Sequence, residues 1–168
     1  MRVLSVSGHR PNRLGGYGQD VDDKLYMTAV SCLEQLKPTL VITGMALGWD
    51  QAVARACVSL QISFTAACPF QGQESIWPQA SRERYRELLD KAMHIEYVSP
   101  PPYRPHKLML RNQWMIDHSD ECLALWDGTQ SGGTFECLQY AMVCGKPLLN
   151  AWDMFVGKQE YPSTLNKL

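Results

Sequence analysis

Four short segments of the chain carry residue types that can grip an anion. Ser7-Gly8-His9-Arg10-Pro11 sets a glycine beside an imidazole and a guanidinium. Thr43-Gly44-Met45-Ala46-Leu47-Gly48-Trp49-Asp50 brackets a turn with two glycines and ends in a carboxylate. Pro69-Phe70-Gln71-Gly72-Gln73-Glu74 is a polar loop. Asp127-Gly128-Thr129-Gln130-Ser131-Gly132-Gly133-Thr134-Phe135-Glu136 puts paired glycines at the start of an apolar run. Glycines let backbone N–H groups approach an oxyanion closely. The first turn of a helix adds free N–H groups and the positive end of its dipole. Two adjacent glycines in a first turn weaken a helix with no structural return. Phosphate contact is therefore the expected role of Ser131, Gly132, Gly133 and Thr134, against the plainer alternative of a turn capped by Ser131.

The other candidates are less one-sided. Arg10 is a natural fork for phosphate or carboxylate, and His9 is either a base or a hydrogen-bonding loop residue. Gly8, Gly44, Met45 and Gly48 offer backbone to a ligand. Asp50 either accepts from ribose hydroxyls or only complements a helix dipole. Arg111 and Asn112 fall mid-helix, with Arg111 on one face with Leu108 and Met115. It either reaches over the site or snorkels and pairs with an acid. The tryptophans belong by default to the core. There is no P-loop, no Gly-x-Gly-x-x-Gly after the first strand and no paired Cys/His ligand set, so neither cofactor nor metal is expected.

These residues need elements to position them, and the pattern supplies an alternation. Strand-like segments at Val3–Ser7, Leu40–Thr43, Ile62–Ala67, Met93–Val98, Glu121–Trp126 and Pro147–Trp152 are interleaved with helical stretches. The helices are expected at Asp20–Lys37, Trp49–Leu60, Ser81–Lys91, Lys107–His118 and Thr134–Cys144. Strands that are apolar on both faces and separated by amphipathic helices imply a parallel sheet covered on both sides. The expected fold is α/β: a Rossmann-like three-layer sandwich with a mostly parallel sheet of about six strands. Ligands in such folds bind outside the carboxyl ends of the strands, and all four segments above follow a strand. Residues 1–152 form the expected binding domain. Residues 153–168 read as a polar tail, loose or packed on a neighbouring subunit.

Length and composition narrow the classes further. The chain has 168 residues, 45% hydrophobic and 20% charged, with net charge −1. That suits one folded domain. It gives no electrostatic footprint for nucleic acid or for a membrane surface. No apolar run approaches a membrane span, and the N-terminal apolar stretch is too short for a signal peptide. Six cysteines lack Cys-x-x-Cys spacing, which predicts reduced, buried thiols in a cytoplasmic protein.

The combination of Ser7-Gly8-His9-Arg10-Pro11, Thr43-Gly44-Met45 through Gly48-Trp49-Asp50, Pro69-Phe70, Arg111-Asn112, and Asp127-Gly128-Thr129 leading to Ser131-Gly132-Gly133-Thr134 resembles the SLOG superfamily, in particular its YpsA-like branch of bacteria and phages. The resemblance spans roughly residues 1 to 150. It implies a Rossmann-like fold, a nucleotide or nucleotide-derived ligand and a homodimer or larger assembly. The superfamily includes the Lonely Guy enzymes, which cleave the N-glycosidic bond of nucleoside monophosphates, the DNA-processing protein DprA, and members read as sensors of nucleotide signals. Carried onto this chain, the phosphate cradle is Gly132, Gly133, Thr134 and Arg10, assisted by Arg111. The catalytic carboxylate is Glu136, with Asp50 as substitute. The Lonely Guy motif is Pro-Gly-Gly-x-Gly-Thr-x-x-Glu. Here the glutamate follows the threonine by two residues instead of three, a rotation of about 100° on a helix. The resemblance implies one of three functions: hydrolysis of a nucleoside 5′-monophosphate, non-catalytic sensing or sequestration of a nucleotide, or, less favoured on charge, single-stranded DNA binding.

Overall fold

The computed structural model describes residues 1–168. Seven strands form one sheet: β1 (Val3–Gly8), β2 (Leu40–Thr43), β3 (Phe64–Cys68), β4 (His94–Tyr97), β5 (Glu121–Leu125), β6 (Leu148–Asn150) and β7 (Ser163–Leu165). Their order across the sheet is β4-β3-β2-β1-β5-β6-β7. Every neighbouring pair is parallel except β6 and β7. The helices are α1 (Gln19–Leu36), α2 (Trp49–Leu60), α3 (Gln79–Leu89), α4 (Pro105–Asp117), α5 (Gly133–Val143) and the single turn α6 (Trp152–Phe155). Helices α1, α2, α3 and α6 cover one face of the sheet, and α4 and α5 the other. This is the three-layer α/β sandwich that the alternation implies.

Burial explains the strands. β3 and β5 are buried along their whole length, as strands covered on both faces must be. The larger core lies under α1 and α2 and is centred on Leu4, Val6, Leu33, Trp49, Val53 and Phe64. A smaller one joins Ile116, Cys122, Trp126 and Leu138 beneath α4 and α5. Each fully buried aliphatic side chain contributes about 1.5–3 kcal/mol. Five cysteines are buried in these layers, Cys144 is exposed, and all six are free thiols. No helix is long and apolar enough to cross a membrane.

The structure departs from the sequence pattern at a few ends. α3 and α4 each begin two residues before the apolar periodicity does, because their first turns are polar; Pro105 opens α4, where its fixed φ suits a first turn. The tail does not hang free. Residues 163–165 pair antiparallel with β6, in the register Leu148↔Leu165, and the Gln35 side-chain amide donates to the Glu160 carbonyl at 2.6 Å. A three-residue strand is too short to show alternation in sequence.

Gly8, the last residue of β1, is dictated by packing. A Cβ there would lie 2.5–2.7 Å from three atoms of the Trp49 side chain, and Trp49 is completely buried. Gly8→Ala is therefore expected to destabilise the fold by about 1–3 kcal/mol through overpacking. A lowered urea midpoint with unchanged slope would confirm this; an unchanged midpoint would contradict it.

Candidate functional site

The strand order reverses between β1 and β5, and the connections leaving these two strands part. A cleft of about 420 Å³ opens there, at the carboxyl end of the sheet where such folds place ligands. β1 delivers Gly8, His9 and Arg10 to it. The first turn of α2 delivers Asp50, and α4 delivers Arg111 and Asn112. The β5–α5 connection delivers Ser131, Gly132, Gly133 and Thr134. Ten of the fifteen expected residues therefore meet in one place.

α5 meets the cleft with its N-terminus. Gly132 occupies the N-cap with φ 88°, and no side chain caps the helix, so Ser131 does not serve as the cap. The Glu136 N–H is taken up by the Gly132 carbonyl, which leaves the earlier N–H groups of the turn for a ligand. A Cβ added at Gly132 or Gly133 would meet nothing within 4 Å. The bare backbone at Gly133 is thus not required by the protein's own packing, and it leaves room for an anion. Thr134 is buried at the cleft wall.

Three guanidiniums line the same cleft as this turn. Arg10 is exposed. Arg111 is 5% exposed; its Nη1 donates to the Gly44 carbonyl, and its Nε donates to Asn112 Oδ1 at 2.9 Å. The third, Arg13, lies outside the recognised motifs. It sits on a short 3-10 turn, Pro11–Arg13, and its Nη2 donates to Asp127 Oδ2 at 3.1 Å and to Thr129 Oγ1 at 2.8 Å. The signal that could have found it is the three-residue spacing from Arg10, which puts both on one turn beside the cleft.

Asp50 is 6% exposed. Its Oδ2 accepts from the Ala46 N–H at 3.3 Å. Burial pushes its carboxyl up to about 6, against the opposing pull of Arg111, the Ala46 N–H and Arg10. His9 is held differently. Its Nε2 lies 2.9 Å from Asp127 Oδ1, and burial lowers its pKa more than Asp127 raises it. Burial also acts to raise Asp127. Hydrogen bonds from the Thr129 backbone and hydroxyl and from His9 outweigh it and bring the carboxyl to about 2.

Five expected residues do not line the cleft. Gly44 lies behind it, where a Cβ would collide with the Arg111 guanidinium and sit 2.8 Å from Asp50 Oδ2. Met45 is fully buried with φ 59°. At Gly48 φ is 96°, and a Cβ would sit 2.8 Å from the His9 carbonyl. These three shape the β2–α2 turn and offer no backbone to the cleft. Asp127 stands one layer back, bridging His9 and Arg13. Glu136 is exposed. It lies two residues past Thr134, a rotation of about 200°, so it points away from the wall that Thr134 forms.

The family model described as the YspA SLOG family matches residues 4–144. The chain belongs to that family. Over 136 residues it is 33% identical to the uncharacterised SPbeta prophage-derived protein YoqJ of Bacillus subtilis, covering 71% of this chain and 78% of that one. The fold of this SLOG chain is that of DNA processing protein A from Streptococcus pneumoniae, with TM-score 0.65 and 16% identity over 89% of this chain; it spans half the length of that protein. It is also similar to the molybdenum cofactor carrier protein of Chlamydomonas reinhardtii, with TM-score 0.55 and 11% identity over 93% of this chain and 83% of that one. At these identities the two structures speak for the fold alone.

Asp50 ties the cleft to stability. Its pKa in the folded state, about 6, lies above the ordinary 3.8. The folded state therefore holds this proton more tightly than the unfolded chain. The contribution is fully present below pH 3.8 and is lost as the pH rises through about 6. Between pH 4 and pH 8, Asp50→Asn should gain about 2 kcal/mol relative to the unsubstituted protein. Urea unfolding of both proteins at the two pH values checks this, and a constant difference would contradict it.

Proposed function

We propose that the cleft binds a nucleotide or nucleotide-derived ligand through a phosphoryl group set on the N-terminal turn of α5. The observation that carries this reading is the convergence of that uncapped turn with Arg10, Arg13 and Arg111 on one cleft. Backbone N–H groups, a helix dipole and guanidinium forks are each suited to a phosphate. Membership of the SLOG family is in keeping with a small charged ligand.

A second reading adds chemistry, and the position of Asp50 favours it. Hydrolysis of a nucleoside 5′-monophosphate breaks the C1′–N bond. The electron pair leaves with the base, a water oxygen bonds to C1′, and the proton balance is closed by transfer from water to the base. A carboxylate beside C1′ stabilises the oxocarbenium-like centre or takes the water proton. Asp50 is the carboxylate inside the cleft, and its pKa of about 6 suits proton transfer near neutrality. Glu136, exposed on the other side of α5, is poorly placed for that role. DNA binding of the kind implied by the name of DNA processing protein A has less support, because the chain carries net charge −1.

Arg10→Gln and Arg13→Gln are each expected to weaken binding of AMP by about tenfold, the worth of one charge-assisted hydrogen bond, while adenosine binds neither form measurably. Titration calorimetry at fixed salt reads this; unaltered AMP affinity in both variants would contradict it. If free base is released, Asp50→Asn should lower the rate by about 100-fold or more, and Glu136→Gln should leave it within about twofold. The opposite pattern returns the role to Glu136, and the absence of free base from any monophosphate leaves binding alone.

A further inference from the structure

The cleft is equipped for charge and hydroxyl groups and has little to offer a nucleobase. The chain contains five tryptophans, seven tyrosines and four phenylalanines, and none of them lines it. Of the fifteen lining residues only Ala46 and Leu108 are apolar, whereas small-molecule pockets are predominantly apolar. Proteins that read a base stack it on an aromatic plane, worth about 5- to 150-fold in affinity, or hydrogen-bond its edges. The one ring here is the His9 imidazole. It is 4% exposed, its Nε2 is engaged by Asp127, and it stands perpendicular to the Trp152 ring. Among possible edge readers, the Asn112 carbonyl oxygen already accepts from Arg111 Nε, which leaves that side chain only its amide N–H donors, and Asn12 is an exposed loop residue whose amide nothing in the protein holds in place. For stacking, only the Arg10 and Arg13 planes are present, and stacking on a guanidinium is tolerant of base identity.

A neighbouring cavity of about 270 Å³ does contain an aromatic residue, Tyr17. It shares no lining residue with the cleft. Pro11 and Leu47 face it, while Arg10, Asn12 and Ala46, adjacent in the same two loops, face the cleft. The loop backbone therefore separates Tyr17 from a ligand seated on α5.

What the cleft does provide is an anion site at one wall and a carboxylate acceptor at another. Asp50 uses Oδ2 for the Ala46 N–H, and Oδ1 remains for hydroxyl donors. We infer that the cleft reads the phosphoribosyl group of its ligand, with the phosphate on α5 and the ribose hydroxyls toward Asp50, and leaves the base unread. This rests on the phosphate site proposed above and narrows its ligand class to 5-phosphorylated pentoses, with or without a base at C1′.

The test is a calorimetric panel on the intact chain: ribose 5-phosphate, AMP, GMP, CMP, UMP, adenosine and inorganic phosphate. Ribose 5-phosphate and the four monophosphates should bind within about tenfold of one another, and adenosine and inorganic phosphate at least about tenfold more weakly. A monophosphate that binds more than about tenfold tighter than ribose 5-phosphate would show a read base and overturn the inference, leaving the phosphate site intact. Inorganic phosphate binding as tightly as ribose 5-phosphate would overturn it by showing an unread sugar. No binding across the whole panel would instead overturn the phosphate site itself.

Discussion

Arg111 brings a permanent positive charge to a place that water barely reaches, and the cleft is organised around accommodating it. A guanidinium left 5% exposed is tolerated only when its N–H groups are satisfied and its field is opposed. The Gly44 carbonyl and the Asn112 side chain satisfy two of its nitrogens, and Asp50 opposes its field. Each partner then constrains the sequence. Residue 44 has no room for a side chain, because a Cβ would meet the guanidinium. The carboxylate has to arrive from the first turn of α2, and the β2–α2 turn is knitted to hold it there: Thr43 Oγ1 donates to the Asp50 carbonyl at 2.9 Å, and Gln51 Nε2 donates to the Met45 carbonyl at 3.1 Å. When Asp50 holds its proton, the charge of Arg111 stands uncompensated, and its open side is the cleft.

The sheet explains why these groups meet. Strand order reverses between β1 and β5, so their connections leave in opposite directions and the gap between them cannot be filled by either. Into that gap come an uncapped helix end from one side and the Arg10–Arg13 turn from the other. Asp127 ties the two sides together, holding His9 and Arg13 from the far loop. Its carboxyl, held near 2 by hydrogen bonds from Thr129 and His9, stays ionised throughout the physiological range.

Much of this was legible in the sequence, for physical reasons. Strands buried on both faces are apolar runs, and helices packed on one side carry an apolar stripe, so five helices and six strands announce themselves. The site was legible where a residue type has few uses: paired glycines opening a helix, and an arginine among apolar neighbours. It was not legible where one residue type answers two needs. Gly44 and Gly48 lack side chains because Arg111 and the His9 carbonyl press on them, and a ligand would have excluded a Cβ for the same steric reason. Glu136 fits a motif by identity but misses by one position, and on a helix that is enough to turn it outward. Arg13 looks like an ordinary loop residue until the 3-10 turn brings it beside Arg10. β7 is three residues long and is recognisable only once β6 is there to pair with it.

We propose that an anionic ligand is gripped by main-chain N–H groups at the start of α5. The most direct measurement is a crystal structure of the chain with ribose 5-phosphate. Phosphoryl oxygens are expected within hydrogen-bonding distance of the Gly133 and Thr134 N–H groups, with Arg10 or Arg111 on the same phosphate. A phosphate seated elsewhere, for example in the cavity lined by Tyr17 and Arg84, would contradict it.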